Sequence, residues 1–168
     1  MRKFYLFFIL FFFVQLGCTE GCNVRGIVVN QEIIDGGDMK GINYCLLFGK
    51  ALDRNTPCIR EFSTIDTFEG GFIYVHGVYL IRLIDRIGEN SFVKALEGTS
   101  KRERMKIDMY IKAGMDIYET YYTGNDAIEY TSIEEFWEKH PLIIAFLKTI
   151  QTNGDTSRKE REEKNDYF

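Results

Sequence analysis

The fold is decided by the segment FIYVHGVYLIRLIDRI, residues Phe72–Ile87. This segment is the most apolar part of the chain outside its first 17 residues, and its apolar positions cover two faces of a helix. One face carries Ile73, Leu80, Ile84 and Ile87, and the other carries Phe72, Val75, Tyr79 and Leu83. A helix that is apolar around most of its circumference is usually central in a core, so we expect this helix at the centre of the domain. Its β-branched start leaves a strand as the alternative.

Helical spacing and end signals predict further helices on both sides of this segment. Residues 42–52 form the first, and the second begins at Thr56-Pro57, where an N-cap residue precedes a proline. A short helix covers about residues 90–96. Capping boxes at Ser100 and Ser132 open two later helices, and Pro141 splits the second of these. We therefore expect a mainly α protein, a compact bundle of about five or six helices.

The region before these helices, residues 18–41, is interpreted as a tether with a short extended or β-hairpin segment near the mature N-terminus. The β-branched runs 27–29 and 33–34 favour strands, and Asp35-Gly36-Gly37-Asp38 is typical of a turn. Residues 42–152 form the helical domain. Residues 153–168 are almost all charged or small, which is typical of a solvated, disordered tail.

The first 17 residues have the three parts of a secretory signal peptide. Arg2-Lys3 is basic, Phe4–Leu16 is an apolar run, and Gly17-Cys18 ends the run with small residues. The apolar run is shorter than the roughly 20 residues that a membrane-spanning helix needs, so an uncleaved anchor ranks second. We expect an exported protein, with cleavage before Cys18 or, alternatively, after Gly21.

Residues 14–18, Val-Gln-Leu-Gly-Cys, place a small residue directly before a cysteine. They resemble the lipobox of bacterial lipoproteins, although that family usually has Leu where this chain has Gln15. The resemblance implies a lipid on Cys18, attachment to a membrane, and a location in the bacterial cell envelope. Without the lipid, the expectation is a secreted protein.

The charge of the chain argues against nucleic acid as a partner. The net charge is −4, from 21 basic and 25 acidic residues, and removal of Arg2 and Lys3 makes it −6. A mildly acidic protein has no field to attract a phosphate backbone, and no basic patch is interleaved with aromatic residues.

Three cysteines remain if Cys18 carries a lipid: Cys22, Cys45 and Cys58. An oxidising compartment favours one disulfide among them. Cys45–Cys58 is the first choice, and Cys22 with either of these is the alternative. A loop of this length stabilises the fold by about 3 kcal/mol in the chain-entropy model. No pair has the C-x₂-C spacing of a zinc site, so we expect neither a metal nor a cofactor.

The sequence contains no catalytic motif, and only two histidines. His76 lies in the central helix, where it acts either as a buried acid or base or, more often for such a position, as a hydrogen-bonded core residue. His140 precedes Pro141 and is expected to face solvent. The binding candidates are His76, Tyr79, Arg82, Arg86, Tyr118 and Tyr122. Arg82 and Arg86 lie on a polar edge of the central helix, where an Arg82–Asp85 ion pair is expected. Tyr118 and Tyr122 belong to a tyrosine cluster near Gly124.

The hypothesis that these features favour is a non-enzymatic protein, anchored to a membrane through Cys18, that binds or protects an unknown protein partner. Two alternatives remain. One is a small-ligand carrier whose cavity is lined by Phe72–Ile87 and Leu142–Ile150. The other is an enzyme with a site around His76.

Overall fold

The computed structural model describes residues 21–66, 70–121, 130 and 132–149, and within them two short strands precede eight helices. The strands are β1 (Asn23–Val24) and β2 (Ile27–Val28), and the helices are α1 (Gln31–Asp38), α2 (Tyr44–Leu52), α3 (Thr56–Ser63), α4 (Gly71–Ile87), α5 (Glu89–Ala95), α6 (Lys101–Tyr121), α7 (Ile133–Lys139) and α8 (141–149). The predicted mainly α fold with a short β-hairpin is confirmed. The predicted signal peptide, Cys18, Tyr122 and the charged tail 153–168 lie outside the described residues.

The apolar segment that decided the fold forms α4, and α4 is the buried centre of the domain. Every residue from Val75 to Ile84 is buried, so neighbours surround this part of the helix on all sides. Its most extensive packing is against α6, and α1, α2 and α5 also contact it. None of the described helices combines the length and the apolar character needed to span a membrane.

The two longest helices cross at a pair of glycines, Gly77 in α4 and Gly114 in α6. A Cβ atom on Gly77 would lie 2.0 Å from the carbonyl oxygen of Tyr110 and 2.7 Å from the backbone nitrogen of Gly114. A Cβ on Gly114 would lie 2.4 Å from the carbonyl carbon of Gly77. Since real Cβ contacts are about 3.5–4 Å, only glycine lets the two backbones approach this closely.

Side chains at the helix ends follow the predicted capping rules. The Ser100 box is complete: the Ser100 N–H donates to Glu103 Oε2 over 2.6 Å, and the Glu103 N–H donates to Ser100 Oγ over 3.3 Å. Ser132 caps α7, which ends before Pro141 as expected. The cap of α3 is Asn55 instead of the predicted Thr56, because its side chain accepts from the Cys58 N–H over 3.1 Å.

The N-terminal region differs from its prediction because it packs into the domain. β1 and β2 form an antiparallel hairpin closed by a two-residue turn in which Arg25 and Gly26 both have positive φ. The predicted second strand at 33–34 and the turn at 35–38 are instead helix α1. Its glycines serve close packing, because a Cβ on Gly36 would meet the Phe72 ring at 2.7 Å.

The disulfide joins Cys22 to Cys45, with a Cα–Cα distance of 6.4 Å, and so fixes the hairpin to α2. The first-choice pairing of Cys45 with Cys58 is wrong, and the alternative with Cys22 holds. Cys45 and Cys58 lie in the first turns of α2 and α3, so about 10 Å of helix from Cys45 to Leu52 separates them. A disulfide requires Cα atoms within about 7 Å. Cys58 is partly buried with a free thiol.

Candidate functional site

An open groove runs along the surface between α6, α7 and α8, with a volume of about 720 Å³. Each helix contributes one face to it. The lining residues are Lys101, Met105, Asp108 and Lys112 from α6, Glu134, Trp137 and Glu138 from α7, and Ile144, Leu147 and Lys148 from α8. This groove is not the cavity predicted between Phe72–Ile87 and Leu142–Ile150, because α8 lines it and α4 does not.

The spacing of the lining residues explains why they share one surface. On α6 they recur every three or four residues, which places them on one side of the helix. Arg104 fixes α8 against the start of α6, since its Nη1 donates to the Phe146 carbonyl and to Thr149 Oγ1, each over 3.2 Å. The guanidinium also lies 4.5 Å from the centre of the Phe146 ring, a cation–π distance.

Apolar side chains of adaptable shape form the floor of the groove. Met105 is 57% exposed, and Trp137 is partly buried with its ring edge-on to Phe136 at 4.9 Å between centroids. Ile144 and Leu147 complete the floor. Methionine and tryptophan are enriched in protein interfaces, because they offer large apolar area that fits irregular partners.

The charges around the groove are separated by helix. Lys112 and Asp108 neutralise each other in an ion pair of 2.7 Å within α6. Lys101 and Lys148 form a basic pair on α6 and α8, while Glu134 and Glu138 form an acidic pair on α7. All four residues line the groove, and the ion pairs within the described residues do not include their side chains.

A hydrogen-bonded group of three side chains fixes the connection between α7 and α8. The Tyr130 hydroxyl lies 2.6 Å from Asp85 Oδ1 in α4 and 2.6 Å from His140 Nε2. His140 Nε2 lies 3.4 Å from the same Asp85 oxygen. The hydroxyl has one proton, so with Asp85 ionised it donates to the carboxylate and accepts from the imidazole N–H. These contacts hold two walls of the groove against the buried helix.

This group corrects one sequence expectation. His140 is buried instead of facing solvent, because the helix break at Pro141 packs against α4. Asp85, on the polar edge of α4, accepts from the Tyr130 hydroxyl.

His76 lies inside a cluster of aromatic rings and is fully buried. Its Nδ1 is 2.9 Å from the Tyr44 hydroxyl, and the rings of Phe62 and Tyr110 are 4.8 Å and 4.7 Å away between centroids. Burial lowers the pKa of His76 to about 3, an effect that a hydrogen bond to the Phe62 backbone partly offsets. The ring is therefore neutral at ordinary pH and does not meet solvent, which suits the core role better than the catalytic one.

The other binding candidates do not form one surface. Tyr79 is fully buried, and its hydroxyl accepts from the Asn30 N–H over 2.7 Å and donates to the Val28 carbonyl over 3.2 Å. It thereby ties the hairpin to α4. Arg82 is buried and Arg86 is exposed. The side chain of Tyr118, like all of Tyr122, lies outside the described residues.

The groove residues were missed because the site forms only where one face of α6 meets α7 and α8, which follow it in the sequence. One signal was readable: Met105 and Met109 lie outside the core-facing positions of α6 and are 57% and 43% exposed. Apolar residues outside the core face of an amphipathic helix indicate a second contact surface.

Among the described side chains, no three His, Cys, Asp or Glu residues come together as a metal site would require. No family model, curated protein or solved structure matches the chain. The groove and its charges are therefore the basis for a function.

Proposed function

We propose that this chain is an exported, non-enzymatic protein that binds a partner protein, and that the groove between α6, α7 and α8 accepts an amphipathic helix of that partner. The observation that carries the proposal is an apolar floor with exposed Met105 and half-buried Trp137, bordered by charges that the described ion pairs leave uncompensated.

The dimensions of the groove suit a short helix. From Lys101 to Lys112 the wall formed by α6 is about 16 Å long, at about 1.5 Å per residue, which equals three helical turns. A helix of that length presents apolar residues at positions i, i+3, i+4 and i+7 to an apolar floor. Large side chains such as Trp137 supply most of the binding energy in interfaces of this kind.

The charges define which partner fits and in which direction it lies. An acidic side of the helix is favoured near Lys101 and Lys148, and a basic side near Glu134 and Glu138. Complementary charges of this sort fix the register and speed up association more than they raise affinity.

The test is site-specific photo-cross-linking in the native host. A benzophenone amino acid replaces Met105 in the groove or, as the control, Met39, which is 74% exposed outside it. One defined protein should cross-link from position 105 and not from position 39, and Trp137→Ala should abolish the product. Identical products from both positions would refute a binding groove.

Export and attachment through Cys18 belong to the same proposal. The basic start, the apolar run and the Gly17-Cys18 step support it, as does the Cys22–Cys45 disulfide, since disulfides persist outside the reducing cytosol. The intact mass of the protein from its host tests the cleavage site, the lipid and the disulfide together. An unprocessed chain would contradict the proposal.

A small-ligand carrier is the second candidate function. The volume of about 720 Å³ falls in the range of about 300–1,000 Å³ that ligand pockets occupy. Native mass spectrometry of the protein from its host separates the two functions: a bound small molecule of constant mass supports the carrier, and a bound protein supports the partner. Catalysis around His76 has less support, because its ring is fully buried.

A further inference from the structure

We propose that Tyr167 and Phe168 of the same chain fill the groove when no partner is bound. The inference rests on the proposed function of the groove and adds its regulation: the C-terminal segment competes with the partner helix.

The position of the segment favours this contact. Residues 150–168 continue directly from α8, whose last turn places Leu147 and Lys148 in the groove. From Thr149 to Tyr167 the chain has 18 residue steps. An extended chain of that length spans up to about 60 Å, and a flexible one has a root-mean-square span of about 20–25 Å. Either value exceeds the groove length of about 16 Å, so the chain is long enough to turn back.

The composition of the segment selects its contact residues. Between Ile150 and Tyr167 the segment is entirely polar, charged or glycine, and such residues do not fill an apolar groove. Tyr167 and Phe168 are adjacent aromatic residues, each able to bury about 150–250 Å². Asp166 directly precedes them and complements the basic pair of Lys101 and Lys148.

Tethering makes even a weak contact effective. A short flexible connection gives an effective concentration on the order of 1 mM. With an intrinsic Kd of about 0.1 mM, the segment would occupy about 90% of the grooves and weaken partner binding about tenfold.

The groove contains its own reporter, because Trp137 is the only tryptophan of the chain. The experiment compares Trp137 emission and acrylamide quenching in the processed full-length protein and in the double variant Tyr167→Ala/Phe168→Ala. The variant should show emission at longer wavelength and stronger quenching, and a synthetic peptide of residues 150–168 should reverse both changes. The matched control is Thr156→Ala/Ser157→Ala in the same segment, which should leave both unchanged.

Identical emission and quenching in the wild type and the aromatic variant would overturn the proposal. Quenching that weakens as the protein concentration rises would also overturn it, because a second copy would then be the occupant.

The cross-link from position 105 separates this proposal from the function on which it rests. Partner capture that increases several-fold in the aromatic variant supports both. Partner capture without any difference in Trp137 emission between the aromatic variant and the wild type refutes the contact of Tyr167 and Phe168 with the groove and leaves the proposed partner binding standing. A change in emission without capture in either protein refutes the partner and leaves the tail contact standing.

Discussion

The crossing of α4 and α6 predicts that Gly77→Ala strongly destabilises the protein. The added methyl carbon would lie 2.0 Å from the Tyr110 carbonyl oxygen and 2.7 Å from the Gly114 nitrogen. Both obstacles are backbone atoms of the partner helix, so no side-chain rotation relieves the overlap. The two helices must separate by more than about 1 Å to restore an ordinary contact of about 3.5 Å.

The magnitude follows from two opposing effects. Overpacking of a core costs about 1–3 kcal/mol and occasionally more, and the backbone overlap here places the cost near about 4 kcal/mol. Alanine returns about 1 kcal/mol through its higher helix propensity. The expected net loss in the free energy of unfolding is about 3 kcal/mol, which lowers the urea midpoint by about 1.5 M for an m-value of about 2 kcal/mol/M.

The assay is urea unfolding followed by far-ultraviolet circular dichroism, with Gly71→Ala as the matched control. A Cβ on Gly71, at the start of the same helix, would meet no atom within 4 Å, so this variant should be as stable as the wild type or slightly more stable. Gly114→Ala should resemble Gly77→Ala, and the double variant should cost less than both together, because the first methyl group already separates the helices. A Gly77→Ala midpoint at or above that of the wild type would refute the close crossing.

Three further predictions concern stability and pH. Replacement of Cys22 with Ser should lower the free energy of unfolding by about 3 kcal/mol, since the Cys22–Cys45 disulfide closes a loop with a sequence separation of 23. Cys58→Ser should change the free energy of unfolding by less than about 0.5 kcal/mol, because Cys58 is a free thiol. Equal effects of the two variants in chemical denaturation would contradict the observed pairing. The Tyr110 hydroxyl donates to the Ile65 carbonyl, and burial raises the pKa of Tyr110 to about 12 from an unfolded value near 10. The contribution of Tyr110 to the free energy of unfolding should therefore be complete below pH 10 and lost between pH 10 and 12. Urea midpoints should show that loss in the wild type and not in Tyr110→Phe. Burial lowers the pKa of His76 to about 3, so the stability that its neutral ring contributes is present above pH 6.5 and is lost as the pH falls from 6.5 towards 3. The NMR signals of the His76 ring should stay constant from pH 8 to about 4. Titration of the ring near pH 6.5 would show that it is not buried.

Much of the fold could be predicted because its decisive signals are local. Phe72–Ile87 has too few polar positions to face water, so its central place follows from composition alone. The Ser100 capping box and the break at Pro141 are also local, and both hold. Helix α1 could not be predicted, since Gly36 and Gly37 favour a turn when only their neighbours in the sequence are considered. In the folded protein these glycines pack closely against the Phe72 ring and the backbone of Ile42, and this contact is not visible in the local sequence.

The site was less predictable, since it depends on tertiary contacts. The spacing of the cysteines leaves their pairing open, and the positions of Cys45 and Cys58 on successive helices decide it. His140 was expected at the surface because a proline break usually lies there, yet its contacts with Tyr130 and Asp85 require the folded arrangement of α4 and α7. The groove likewise needs three helix faces to meet.

The disulfide between Cys22 and Cys45 would limit the length of the linker between a lipid on Cys18 and the folded domain. Only residues 19–21 lie between Cys18 and Cys22, and Cys22 is fixed to α2. A lipid on Cys18 would therefore hold the hairpin end of the domain within about 14 Å of the membrane surface, at about 3.5 Å per residue. The exposed side chains of Val28 and Leu46 lie near this attachment point. Such a short linker would give the protein a preferred orientation relative to the membrane and restrict its partners to those that come close to the same membrane.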